Sequence, residues 1–151
     1  EGLLYAQDVV LDGLTALELH FHDHRFPKPP LKEHLRITSG FGYRKKEFHK
    51  GLDLAAPAGS PVCAVLSGIV EKVECNEAGV KIVLRHGMGY ASVYCNLGPR
   101  VYVGPRTWVR AGKVIGVVGG SGRGTGPHLH FKLLHYGRPI DPTPYLRGER
   151  R

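Results

Sequence analysis

The chain is poor in several of the features that most simply define a protein class. It has only three cysteines in 151 residues. Cys63, Cys75 and Cys95 are too widely spaced for a local metal knuckle, and their odd number argues against a disulfide-stapled scaffold. Cys63, inside the apolar run "PVCAVL", reads as a small buried side chain, and the sequence leaves open whether two of the three form a bridge. No apolar run approaches the roughly 18 residues of a membrane helix, so a chain that does not span a bilayer is expected. No window keeps a 3.6-residue hydrophobic period over helical length, which argues against a helical bundle. Acidic residues are the minority, 13 against 21 Lys and Arg, and the formal net charge is +8. That excess favours an anionic partner: nucleic acid, acidic lipid, or a wall polymer bearing carboxylates and phosphates. The cations are scattered, and neither an RNA-binding aromatic signature nor a recognition-helix pattern accompanies them, so nucleic acid is not expected. The sequence also begins at Glu1 with no basic-then-apolar leader, as a mature or trimmed fragment would.

What is abundant is short β-branched and apolar runs separated by glycine. From about Leu31 onward come "PVCAVL", "GIVEKV", "VKIVLRH", "GYASVYCNL", "KVIGVVG" and "HLHFKLL", with turns at Gly59, Gly68, Gly79, Gly87, Gly104 and Gly112. Strands at this spacing predict an all-β fold, a mostly antiparallel β-sandwich or open barrel. Ahead of them, "LELHFHDHRF" alternates apolar and polar residues and predicts a half-buried strand with His20, His22 and His24 on its polar face. The tract "FPKPP" cannot continue a helix or a central strand and reads as an extended linker. The expected organisation is therefore an N-terminal segment and linker (1–30), one β domain (31–147) and a basic tail (148–151).

Two residue pairs carry the chemistry. In "TGPHLHFKLL", His128 and His130 stand at i and i+2 of a predicted strand, so their imidazoles point the same way. In "FHKGLDLAAPAG", His49 and Asp53 would lie about 13 Å apart along a straight strand, but a bend at Gly51 would bring them together. Two imidazoles and a carboxylate are suitable zinc donors. Each pair alone also fits ordinary surface or satisfied core residues, and spacing does not choose between the two readings.

The wording around these residues goes further. "RITSGFGYR", "FHKGLDLAAPAGSPVCAVLSGIV", "GPRTWVRAGKVIGVVGGSGRGTGPHLHF" and "GRPIDPTPYL", from Arg36 to Leu146, together resemble the lysostaphin/LytM-type zinc peptidoglycan endopeptidases. The resemblance implies one Zn²⁺ held by His49, Asp53 and His130, with a fourth position for water, and His128 as general base. Three protein ligands with an open position is the catalytic pattern, whereas a structural zinc is closed by four. It also implies peptidoglycan peptides as substrate and a periplasmic or extracellular location. A substrate groove is expected to be lined by Tyr90, Tyr94 and the Gly-rich segment that includes Gly124 and Thr125.

One departure bears on activity. Where the family usually carries a further histidine, in a segment resembling "YxHL", this chain has "VYCNL" and therefore Asn96. An amide can donate to an oxyanion but cannot carry charge or shuttle a proton. Two outcomes follow: a slower or retuned hydrolase using Asn96 as a neutral donor, or a silent zinc-containing module that binds wall material or activates a partner hydrolase. All three zinc-ligand positions are kept, which favours hydrolysis. Lys132 stands where the family commonly has an acid and is expected to tune the groove rim. Only "KKEF" separates Arg44 from His49, which suggests an open groove wall. His20, His22 and His24 could reach the open zinc position as an inhibitory segment, although a solvated polar face is the favoured reading. His34 and His135 are assigned to the surface, and His86 near the groove without a role.

Overall fold

The computed structural model describes residues 25–32, 36–44, 47–120 and 126–146. Within them are twelve strands: β1 (Arg36–Ser39), β2 (Gly42–Arg44), β3 (Glu47–His49), β4 (Leu52–Ala55), β5 (Pro61–Cys63), β6 (Gly68–Asn76), β7 (Gly79–Gly87), β8 (Tyr90–Val101), β9 (Trp108–Val109), β10 (Val114–Val118), β11 (His128–His135) and β12 (Arg138–Ile140), followed by a 3-10 turn, Thr143–Tyr145. The β-rich, antiparallel expectation holds. Ten strands form one sheet in the order β1-β4-β11-β8-β7-β6-β9, with β12 on β11 and β10 joining β8 to β5; β2 and β3 form a separate hairpin. The sheet does not close into a barrel.

Two-residue periodicity separates its faces. Along β11, Leu129, Phe131 and Leu133 are buried, while His128, His130, Lys132 and Leu134 between them are half-buried on the opposite face. Leu52 and Leu54 of β4, and Ile82 and Leu84 of β7, continue the buried face, with Tyr94 and Leu97 of β8 and Ile115 of β10. Each such side chain, removed from water, stabilises the fold by about 1.5–3 kcal/mol. The chemically interesting residues are therefore on the outer face of a sheet whose inner face is the core.

Two-residue hairpin turns set the register at one end of the sheet. Met88 and Gly89 (φ 53° and 84°) join β7 to β8, and Tyr136 and Gly137 (φ 52° and 81°) join β11 to β12. Paired positive φ values match the right-handed twist of the strands that they connect. The turns are tied together by the Tyr136 N–H, which donates to the Gly89 carbonyl at 2.7 Å.

The proline tract is not free-standing. Phe26 ahead of it is fully buried, packs edge-on against Phe131 and donates its N–H to the Tyr145 carbonyl. Leu31 behind it bridges to Val62, and the Cys63 N–H donates to the Pro30 carbonyl. The core thus recruits a residue ahead of the expected domain start at Leu31. All three cysteines are free.

Candidate metal centre

The bend expected between His49 and Asp53 is present, because β3 belongs to the small hairpin and β4 to the large sheet. Gly51 serves it differently from the expectation, which invoked free torsion angles. A Cβ built on Gly51 would stand 2.5 Å from the Phe131 carbonyl oxygen and 2.9 Å from Lys132 Cγ. The residue must be glycine because β11 passes so close.

β4 and β11 pair with Asp53 directly opposite His130, which puts the two side chains on one face. His130 Nδ1 lies 2.7 Å from Asp53 Oδ1, and His49 Nε2 lies 3.8 Å from the same oxygen. Ligand atoms of all three residues fall within 4.8 Å of one another. His49 is oriented from behind: its Nδ1 donates to the Gly40 carbonyl at 2.8 Å, which leaves the Nε2 lone pair facing the carboxylate. Burial opposes ionisation of Asp53, but the His130 hydrogen bond and the charges of His130, His49 and His128 outweigh it and hold the carboxyl below its ordinary value. An ionised carboxylate flanked by two imidazole nitrogens, all within 4.8 Å of one another, fits a divalent cation.

His128 stands on the same strand face beside this trio. Its Nδ1 lies 3.0 Å from the Gly126 carbonyl, which can only accept, so Nδ1 carries the hydrogen. Nε2 is then a lone pair, and it accepts from Asn96 Nδ2 at 2.8 Å. Asn96 is delivered by an irregularity in β8, with φ at 66°, a left-handed conformation that Asn and His tolerate better than most residues. Its carbonyl takes the Gly119 N–H at 2.9 Å, and a Cβ on Gly119 would stand 2.8 Å from that oxygen. These groups line one groove of about 1110 Å³, with Asn76, Glu77 and Gly79 on its other wall.

Other expected site residues lie elsewhere. Tyr94 cannot line the groove: it is fully buried, and its hydroxyl receives the Val65 N–H at 3.0 Å and bonds Ser92 at 2.8 Å. Tyr90 is at the far end of β8, stacked on His135 with ring centroids 4.0 Å apart, and faces a different depression. The period-2 alternation of β8 turns Tyr94 into the core, and the run of apolar residues around it hid that. His135 is half-buried in this stack. Gly124 and Thr125, like His20, His22, His24 and His34, lie outside the described residues.

Sequence reasoning missed the role of His86. It is fully buried and linked to the Ser67 carbonyl through Nδ1 (2.8 Å) and to Ser92 Oγ through Nε2 (2.7 Å), so Val65, Tyr94, Ser92, His86 and Ser67 form one continuous polar chain inside the core. The signal available was a histidine at an inward position of the strand "VKIVLRH".

Two imidazoles and a carboxylate, with a third imidazole alongside, are a donor set suited to one divalent cation. Comparison with known proteins agrees. Residues 47–142 match the model of peptidase family M23, and the chain belongs to that family. The peptidoglycan DD-endopeptidase ShyC of Vibrio cholerae is 38% identical over 126 residues, 78% of this chain and 28% of the relative. A zinc-containing peptidase from Vibrio cholerae superposes with a TM-score of 0.71 at 32% identity, covering 84% of this chain and 40% of that one. The antimicrobial peptidase lysostaphin from Staphylococcus simulans gives 0.67 at 28% identity over 78% of this chain and 52% of its own. The chain spans only 26–33% of the length of the curated relatives it matches.

Proposed function

We propose that this chain is the endopeptidase domain of a zinc-dependent enzyme that hydrolyses peptide bonds in bacterial peptidoglycan. The convergence of His49, Asp53 and His130 on one point, with His128 and Asn96 alongside in the same groove, carries the reading. Family membership and the names of the relatives support the substrate class and, with it, a periplasmic or extracellular location. The domain is taken as residues 31–147, with Phe26 of the preceding segment seated in its core.

His49, Asp53 and His130 would hold the zinc ion, which when bound acidifies a water and polarises a peptide carbonyl. His128 is held as the Nδ1–H tautomer by Gly126, so its Nε2 is the atom that takes the proton from the attacking water and returns it to the leaving amine. Asn96 donates to that same nitrogen. The amide must turn from the base to the developing oxyanion as substrate binds, and its neutrality makes it a weaker stabiliser than a charged imidazole. Turnover below that of a histidine-bearing homologue follows.

The second reading, a catalytically silent module that binds wall material or activates a partner hydrolase, is favoured by one observation: Asn96 occupies the lone pair that the base needs. Zinc analysis together with digestion of purified peptidoglycan by the native chain, Asn96→His and His130→Ala decides between them. Peptide release by the native chain that is abolished in His130→Ala supports hydrolysis. One bound zinc with no release at long times favours the silent module.

A further inference from the structure

Next to the groove, on the same outer face, is a second depression of about 710 Å³ whose residues neither the zinc site nor the hydrolytic reading uses. The ladder fixes its relation to the site. Asp53, His130 and Cys95 form one row across β4, β11 and β8. The next row is Lys132, Val93 and Val83, and the one after it Leu134, Ala91 and Arg85. Rows of outward side chains on a sheet are about 7 Å apart, so the depression starts one row from His130 and continues away from it.

Its lining is mainly basic and apolar. Val83, Val93 and Leu134 make an apolar floor, and Lys50, Arg85 and Lys132 stand over it. Among the described residues, no carboxylate lies within ion-pair distance of those three cations. Glu74 pairs with Lys72 at 3.4 Å and Lys81 at 3.8 Å, and Glu71 is one carboxylate against five Lys and Arg residues in the lining. A face that leaves three cations without partners around an apolar floor is complementary to a chain alternating carboxylates with small aliphatic groups.

We propose that this basic trough is a substrate subsite that takes a carboxylate-bearing stretch of the wall peptide beyond the bond to be cut. The proposal rests on the hydrolase reading above. An extended peptide advances about 3.3 Å per residue, so one lying across the metal-ligand trio reaches Lys132 within two or three residues and Arg85 a few residues later. Lys132 and Arg85 bind its carboxylates, and the valine floor receives its methyl groups. A phosphate polymer would use the cations and leave the floor idle, which is why a peptide is the better fit.

The test uses a soluble wall-peptide dimer with free side-chain carboxylates and the same dimer with those carboxylates amidated. Binding is titrated on chelator-treated protein, in which no bond is cut, and hydrolysis is measured separately on the zinc-loaded form. The native chain should bind the carboxylate form at least tenfold more tightly than the amidated form. Arg85→Glu with Lys132→Glu should abolish that preference, while Arg100→Glu with Lys113→Glu, the same charge change in a separate depression, should keep it. Equal affinity for the two dimers in the native chain, a preference that survives Arg85→Glu with Lys132→Glu, or displacement of the peptide by poly(glycerol phosphate) at a tenfold lower concentration than by the carboxylate dimer would overturn the subsite. Hydrolysis without the preference defeats the subsite alone. The preference without hydrolysis defeats the hydrolase reading and leaves the trough as a wall-peptide binding surface.

Discussion

Asp53 and His130, separated by 77 residues in the chain, face each other across the β4–β11 ladder with Nδ1 2.7 Å from Oδ1. Without a cation this contact is a hydrogen bond; with one, both atoms are available as ligands. Zinc that binds the folded chain and not the unfolded one stabilises it by about 2.7 kcal/mol at a hundredfold excess over Kd. The native chain should therefore melt several degrees higher with zinc than after chelation. His130→Ala and Asp53→Ala should lose that increment and the bound metal, as read by differential scanning fluorimetry and metal analysis.

Restoring a histidine at position 96 should raise turnover. The backbone there has φ at 66°, and histidine is among the residues that accept this conformation, so the fold should tolerate Asn96→His. The substitution supplies a group that can carry charge and shuttle a proton, worth on the order of 10²-fold in kcat. Peptidoglycan digestion by the two proteins, each with one bound zinc, measures it. A variant that holds zinc and is no faster than the native chain would show that Asn96 already performs the donor role in full.

The expected all-β architecture came from counting strands and turns, because alternation and glycine punctuation are local. The His49, Asp53 and His130 trio was readable for a different reason: the chain's wording resembled a family, whereas spacing alone left His49 and Asp53 either close or about 13 Å apart. Where reasoning from residue type failed, tertiary structure was the cause. Tyr94 resembled a groove-lining aromatic, yet an inward position on β8 and a hydroxyl held by Val65 and Ser92 bury it. Phe26 looked like part of a linker because nothing local announces that Phe131 and Tyr145 lie against it. The trough around Arg85 and Lys132 was invisible for the same reason, since its residues come from strands that only the register brings side by side.

Gly51 should resist substitution. Gly51→Ala puts a Cβ 2.5 Å from a backbone oxygen of β11, and relief requires the two chains to separate at the point where Asp53 and His130 meet. A cost of about 1–3 kcal/mol is expected from such overpacking. Zinc affinity should fall with it, because the displacement widens the distance between the two ligands. Urea melts of the metal-free protein and zinc titration of the folded variant read the two effects independently.

The buried His86 makes stability depend on pH. Burial pushes its pKa from 6.5 down to about 4, against the hydrogen bond to the Ser67 carbonyl, which pulls the other way. Above pH 6.5 the imidazole is neutral whether folded or not, and the chain has its full stability. Between 6.5 and about 4 only the unfolded chain takes up the proton, so stability falls as the pH is lowered, by about 2 kcal/mol at pH 5. Neutrality also orders the internal chain of hydroxyls. Nδ1–H is committed to Ser67, so Nε2 must accept from Ser92, whose oxygen also lies 2.8 Å from the Tyr94 hydroxyl. Protonation turns Nε2 into a donor, so the Ser92 hydroxyl can no longer donate to it. Urea denaturation of the metal-free protein at pH 7.5 and pH 5, for the native chain and His86→Gln, isolates this contribution from that of the other histidines. The native chain should lose about 2 kcal/mol more than the variant between the two values, and equal losses would mean that His86 titrates normally in the folded state.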